Sequence, residues 1–304
     1  LKCASELHSV ATVSCLRKQS MDALLKAQVA TDDDGLAHNI GDIWLPSVDG
    51  EFLPNAPSEL IRQKRFANVT TMMGWCEDDL ARFIDDKVET AEDTKKQIAS
   101  YIRNVSLANI DTLLSLYPET DFFANTAANL SSEFYRTAQI VRDIIMVCQP
   151  LWYAQNIAAA GNDVYLYDWN QTMMGPLLDA EGEPGRGVVH TSEFPYIFGN
   201  LSFYDTHGLP FHPSKEDYDV RDRGARSWST FASTGRPSLR NHKTLQGFVP
   251  AFNGTDVNVF VVGGSKPGLS AVDGRHATPE LKRQKLRERC GFLSTPEMIE
   301  QINY

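Results

Sequence analysis

Apolar positions recur along this chain at two spacings: steps of three and four over most of its length, and short continuous apolar runs at a few places. Leu, Val and Ala at helical spacing predict helices over residues 7–18 and 21–28, followed by a solvated turn at Thr31-Asp32-Asp33-Asp34-Gly35. That acidic run lacks the distal Glu a calcium loop requires. Residues 48–54, Val-Asp-Gly-Glu-Phe-Leu-Pro, predict a hairpin-like surface turn leading into a short helix over 57–63. The β-branched, apolar run 68–74 predicts a buried strand, as do 164–168 and 257–262. Helical spacing dominates from 91 to 160, through Ile98, Ile102, Leu107, Leu113 and Leu116, then past an expected cap at Ser131 to Phe134, Ile140, Ile144, Met146 and Leu151. Between the second and third strands the pattern predicts a Gly-rich loop at 182–187, a short segment at 193–198 and a helix near 227–232. An amphipathic, basic helix over 279–289 closes the pattern.

Strands separated by long helical stretches predict the α/β class with a mostly parallel sheet. No repeat, low-complexity tract or Gly/Ser linker divides the 304 residues, so a single domain over 1–304 is expected, with 91–160 as a helical insertion. Hydrophobic residues at 42% and charged residues at 22% are the usage of a folded chain. The formal charge of −10 argues against nucleic-acid or anionic-membrane partners. No apolar run approaches the roughly 20 residues of a transmembrane helix. The sequence starts Leu1-Lys2-Cys3, with neither an initiator Met nor an apolar leader, which reads as a beginning in mid-protein.

Asn-x-Ser/Thr acceptors occur at Asn68, Asn104, Asn129, Asn170, Asn200 and Asn253, against about two expected by chance, and point to a secreted glycoprotein. The five Cys are too sparse for a disulfide scaffold but allow two bridges and one free thiol, in a pairing that spacing does not choose.

Metal and phosphate chemistry find no support in the motifs. The seven His form no His-Glu-x-x-His pair, and His207 and His212 flank a Gly-Leu-Pro-Phe loop unsuited to a fixed ligand face. A Walker A loop and a Gly-x-Gly-x-x-Gly are both absent from the sequence. Two residues stand where open α/β sheets collect functional groups, beyond the carboxyl ends of strands. Asp79 follows the first predicted strand, in Gly74-Trp75-Cys76-Glu77-Asp78-Asp79-Leu80-Ala81-Arg82-Phe83, and His190 follows the second, in His190-Thr191-Ser192-Glu193-Phe194-Pro195-Tyr196-Ile197-Phe198-Gly199. Taken singly, the first reads as a helix N-terminus and the second as a buried core His. Acid before His is the chain order of the Ser, Asp/Glu, His triad in α/β-hydrolases.

On these residues the sequence resembles the type B carboxylesterases, the group that includes cholinesterases and secreted fungal esterases and lipases. The stretch Gly74 to Phe83 is similar to the family's Gly-x-Asn-x-Asp-Glu-Gly-x-Phe-Phe, with Asp79 at the acid's place. His190 with Glu193 matches the family's His-x-x-Glu, and the 48–54 turn, Trp228 to Pro237 and Cys290 agree further. The resemblance covers essentially the whole chain. It implies the carboxyl-terminal portion of an α/β-hydrolase fold, Asp79 and His190 as catalytic acid and base, Glu193 as a supporting carboxylate, and Trp75 and Phe83 as pocket walls. It also implies bridges Cys3–Cys15 and Cys148–Cys290, a free Cys76, no cofactor, and a small-molecule or lipid ester as substrate. The family's Gly-x-Ser-x-Gly elbow occurs nowhere in these residues; Gly263-Gly264-Ser265-Lys266-Pro267 fails at its last position. The expectation is therefore a hydrolase whose nucleophile lies upstream. The alternatives are a non-catalytic cholinesterase-like adhesion protein and an inactive fragment.

Overall fold

Alternation along three strands decides which side chains enter which layer, and it does so in a computed structural model that describes residues 1, 3, 9–36, 46–102, 104–201 and 212–302. The chain divides into two compact units, residues 1–54 and 55–304. In the first unit, α1 (Val10–Leu16) is capped by Ser9, whose hydroxyl accepts from Thr12 N, and α2 runs Met21–Leu36. The turn expected at 31–35 is thus helical. Asp is only a weak helix breaker, and propensity alone does not stop a helix already under way. Cys3 and Cys15 are bonded, with Cα atoms 5.5 Å apart. The turn at 48–54 forms as the sequence predicts: Asp49 Oδ1 accepts from Glu51 N and Leu53 N, and Gly50 takes a left-handed φ of 81°.

The second unit is built on a sheet of order β1-β2-β3-β4, comprising β1 (Thr71–Cys76), β2 (Val164–Asn170), β3 (Asn258–Gly263) and β4 (Gly268–Ala271). The first three are parallel and β4 is antiparallel to β3. The Gly-containing β4 has too little apolar character to register as a strand in the sequence. Val164, Leu166, Val259 and Val261 face one helical layer; Tyr165, Trp169, Phe260 and Val262 face the other.

The first layer holds α4 (Ala91–Tyr101), α5 (Leu107–Leu116), α6 (Ser132–Arg142) and α7 (Cys148–Ala159), preceded by the short α3 (Pro57–Arg62). Ser131 caps α6 by accepting from Phe134 N, as expected. Asp143–Val147 form a π-helical turn joining α6 to α7, a distortion frequent near functional sites. Ile98, Leu113, Phe134 and Ile140 are fully buried here, and each such side chain contributes about 2 kcal/mol of transfer energy.

The opposite layer holds α8 (Gly175–Ala180), α9 (Phe194–Ile197) and α10 (Lys215–Thr234). Far longer than the 227–232 segment expected, α10 is bounded by a Ser214/Asp217 capping box and by left-handed Gly235. The predicted basic helix is broken at Lys285, left-handed at φ 46°, into α11 (Pro279–Gln284) and α12 (Leu286–Leu293). Lys285 Nζ reaches Asp121 at 2.5 Å, a contact that periodicity does not encode. The chain continues into α13 (Pro296–Ile302), and Cys148 of α7 is bonded to Cys290 of α12.

Candidate active site

Past Cys76 the main chain turns through Glu77-Asp78-Asp79 and joins the loop ahead of α9. Glu77 N donates to Trp169 O at 3.0 Å, Asp78 N to Val188 O at 3.0 Å, and Val188 N to Asp78 Oδ2 at 2.9 Å. Gly187, at φ 75°, must be Gly: a Cβ there would overlap the Asp78 carboxylate. These bonds bring together residues that the sequence separates by 92 and 110 positions.

Asp79 Oδ1 lies 2.7 Å from His190 Nδ1. Its other oxygen accepts from Cys76 N at 2.9 Å, and its carbonyl accepts from His190 N at 3.1 Å. Asp79 is 4% exposed, whereas the His190 side chain is 43% exposed. A buried carboxylate at Nδ1 selects the tautomer protonated there, which leaves Nε2 as the basic nitrogen. The hydrogen bond that His190 donates to Asp79 raises the His190 pKa, opposed by partial burial and reinforced by the charges of Asp79 and Glu193. Thr191 holds a left-handed φ of 67°, unusual for a β-branched residue, and its hydroxyl donates to His190 O at 2.6 Å. Phe83 and the imidazole pack in a T-shaped contact, with ring centroids 6.2 Å apart.

Glu193 lies at the start of α9, where its Oε2 accepts from Cys76 Sγ at 3.1 Å. Cys76 is free and buried, and burial followed by the charges of Asp79 and Glu193 pushes its thiol pKa up. Trp75 is buried in the first layer, on the sheet face opposite Cys76. Ser265 donates its hydroxyl to Glu280. His207 lies outside the described residues. Of the six acceptor asparagines, Asn170 alone is partly buried; Asn68, Asn104, Asn129, Asn200 and Asn253 are exposed.

Sequence reasoning missed a buried ionic group behind the acid turn. Arg142, 2% exposed, donates Nη1 to Glu77 O at 2.6 Å and both Nε and Nη2 to Asp143 Oδ1, while Tyr117 donates to Asp143 Oδ2 at 2.8 Å. The one signal was the Arg142-Asp143 pair inside the apolar run Ile140 to Val147. A cavity of about 540 Å³ opens here, lined by Glu77, Asp78, Tyr135, Arg142, Arg283 and Gln284 among others; neither Asp79 nor His190 lines it.

A mostly parallel sheet covered by helices on both faces, with its charged loops beyond the strands' carboxyl ends, is the fold of an α/β-hydrolase. The chain belongs to the carboxylesterase family, whose sequence profile it matches over residues 1–266. It is 48% identical over 302 residues to a secreted lipase of Arthroderma benhamiae, covering 99% of this chain and 52% of that protein. An inactive carboxylesterase-like protein of Byssochlamys spectabilis, VdtD, is 28% identical over 96% of this chain and 51% of its own length. EstA of Aspergillus niger shares the fold at a TM-score of 0.68 and 17% identity, covering 97% of this chain and 53% of that structure. The chain thus spans about half the length of these relatives. Among the described residues no helix is long and apolar enough to cross a membrane.

Proposed function

We propose that this chain supplies the acid and base of a secreted carboxylic ester hydrolase, and that the nucleophilic Ser comes from outside these 304 residues. The 2.7 Å contact between Asp79 Oδ1 and His190 Nδ1 carries the reading, because it orients an exposed imidazole on a buried carboxylate. In the reaction, His190 Nε2 takes the proton of the Ser hydroxyl as its oxygen attacks the ester carbonyl. His190 then returns that proton to the departing alcohol, and repeats the cycle with water to free the acid. Asp79 keeps the tautomer and stabilises the imidazolium. Glu193 adds negative charge near the ring. The substrate is a small-molecule or lipid ester, and the 304 residues form part of one hydrolase domain with 91–160 as its helical insertion.

The test uses the natural full-length protein and short-chain p-nitrophenyl esters. His190→Ala should lower kcat by on the order of a millionfold, and Asp79→Asn by about ten-thousandfold. The 304-residue chain by itself should give no turnover. Hydrolysis undiminished in His190→Ala would overturn the assignment, and a full-length protein inert to all esters would favour a non-catalytic role, as the name of VdtD states for that relative.

A further inference from the structure

Cys76 ends β1 at 1% exposure, yet both of its hydrogen-bond donors reach carboxylates of the candidate site. Its N–H donates to Asp79 Oδ2 at 2.9 Å, and its thiol donates to Glu193 Oε2 at 3.1 Å. The first bond is local, whereas the second spans 117 positions and crosses from β1 to the start of α9. We propose that Cys76 is a positioning residue: its thiol pins the Glu193 carboxylate beside the acid turn, and so holds a second negative charge at the imidazole of His190. The inference rests on the Asp79–His190 reading above.

A small apolar residue at this place would sit in the same apolar cluster, beside its register partner Trp169, as well as Cys does. It would leave Glu193 Oε2 without this donor, a hydrogen bond to a charged acceptor. The thiol is suited to the task because burial and two neighbouring carboxylates keep it protonated, so it donates and does not ionise. The same environment makes it a poor nucleophile. Glu193 in turn acts on His190 through charge. The groups acting on the imidazole are Asp79 from the β1 turn, Glu193 from its own segment and the ring of Phe83; Tyr167 on β2 feels Glu193, Cys76 and Asp79 together. Free of its donor, the Glu193 carboxylate leaves its place, and His190 loses part of the field that favours its charged form.

The experiment follows the His190 imidazole by NMR titration in the natural full-length protein, with the pH profile of kcat/KM alongside. Cys76→Ala should lower the His190 midpoint by about half a pH unit, and Cys76→Ser, which keeps a donor, should hold it within about 0.2 of wild type. In a Glu193→Gln background Cys76→Ala should add nothing, because the two residues act as one pair. Should Cys76→Ala not fold, Cys76→Val fills the volume without a donor and takes its place. A midpoint unmoved by the donor-less variant, or moved equally in the Glu193→Gln background, would overturn the proposal. A wild-type protein without esterase activity sinks the functional reading instead and leaves the titration to decide this one.

Discussion

The ring of Tyr167 lies directly over Gly74, its register partner across the β1–β2 pair, where a Cβ would overlap the ring carbons. This close approach fixes β1 against β2 just ahead of the acid turn. Gly74→Ala must therefore displace a half-buried aromatic or the strand itself, and overpacking of this kind costs about 1–3 kcal/mol. Urea unfolding should show that loss, and Tyr167→Ala combined with Gly74→Ala should recover part of it.

The raised pKa of His190 fixes the direction of two pH effects. Because the folded value lies above the unfolded one near 6.5, the Asp79–His190 pair stabilises fully below that value and loses its contribution as pH rises through the folded pKa. On the proposed mechanism catalysis runs the opposite way, since a His190 base must be neutral: kcat/KM should rise with pH through a midpoint above 6.5. Asp79→Asn should bring the NMR midpoint of His190 down.

Asp78 and Asp168 are both pushed up to about 7, by burial first and then by the charge of Glu77. For a carboxyl raised in the fold, stabilisation is complete below the unfolded value of 3.8 and is lost as pH rises through about 7. Thermal stability should therefore decline between about pH 4 and pH 7. Asp168→Asn keeps the shape, cannot ionise and should flatten the decline; an unchanged slope would contradict the burial argument.

The Cys148–Cys290 bridge spans 142 positions and Cys3–Cys15 spans 12. In the chain-entropy model the long loop contributes about 5 kcal/mol and the short one about 3. Replacing Cys148 and Cys290 by Ala should lower the unfolding midpoint of the 55–304 unit strongly. Removal of the Cys3–Cys15 bridge should act within the 1–54 unit.

Glycopeptide mapping after expression in a eukaryotic secretory host should find occupancy among the exposed Asn68, Asn104, Asn129, Asn200 and Asn253, and none at Asn170. The Asn170 amide packs at the end of β2, with Nδ2 3.1 Å from where a Cβ of Gly264 would stand. A glycan on Asn170 would refute this.

The three parallel strands and the four-helix stretch were legible because burial writes continuous apolar runs and 3.6-residue spacing into the sequence. Helix α10 was read short because its polar residues dilute the periodicity, although Ser214, Asp217 and Gly235 mark its ends. The break at Lys285 and the antiparallel β4 depend on contacts made after the chain has folded, and no local pattern announces them. Asp79 and His190 could be named from chain order, yet their 2.7 Å contact is a tertiary fact. Cys76 could be named only as a free thiol, because hydrogen bonding across 117 positions leaves no trace in composition.

The acid turn and the His loop are laced together by main-chain donors: Asp78 N to Val188 O, Val188 N to Asp78 Oδ2, and His190 N to Asp79 O. Their spacing is set by backbone and not by rotamer choice. The two segments consequently behave as one structural unit. A chimera that takes residues 74–83 from one relative and 187–193 from another exchanges half of a joint, and should fold with Asp79 and His190 out of step, whereas transplanting both segments together carries the geometry intact.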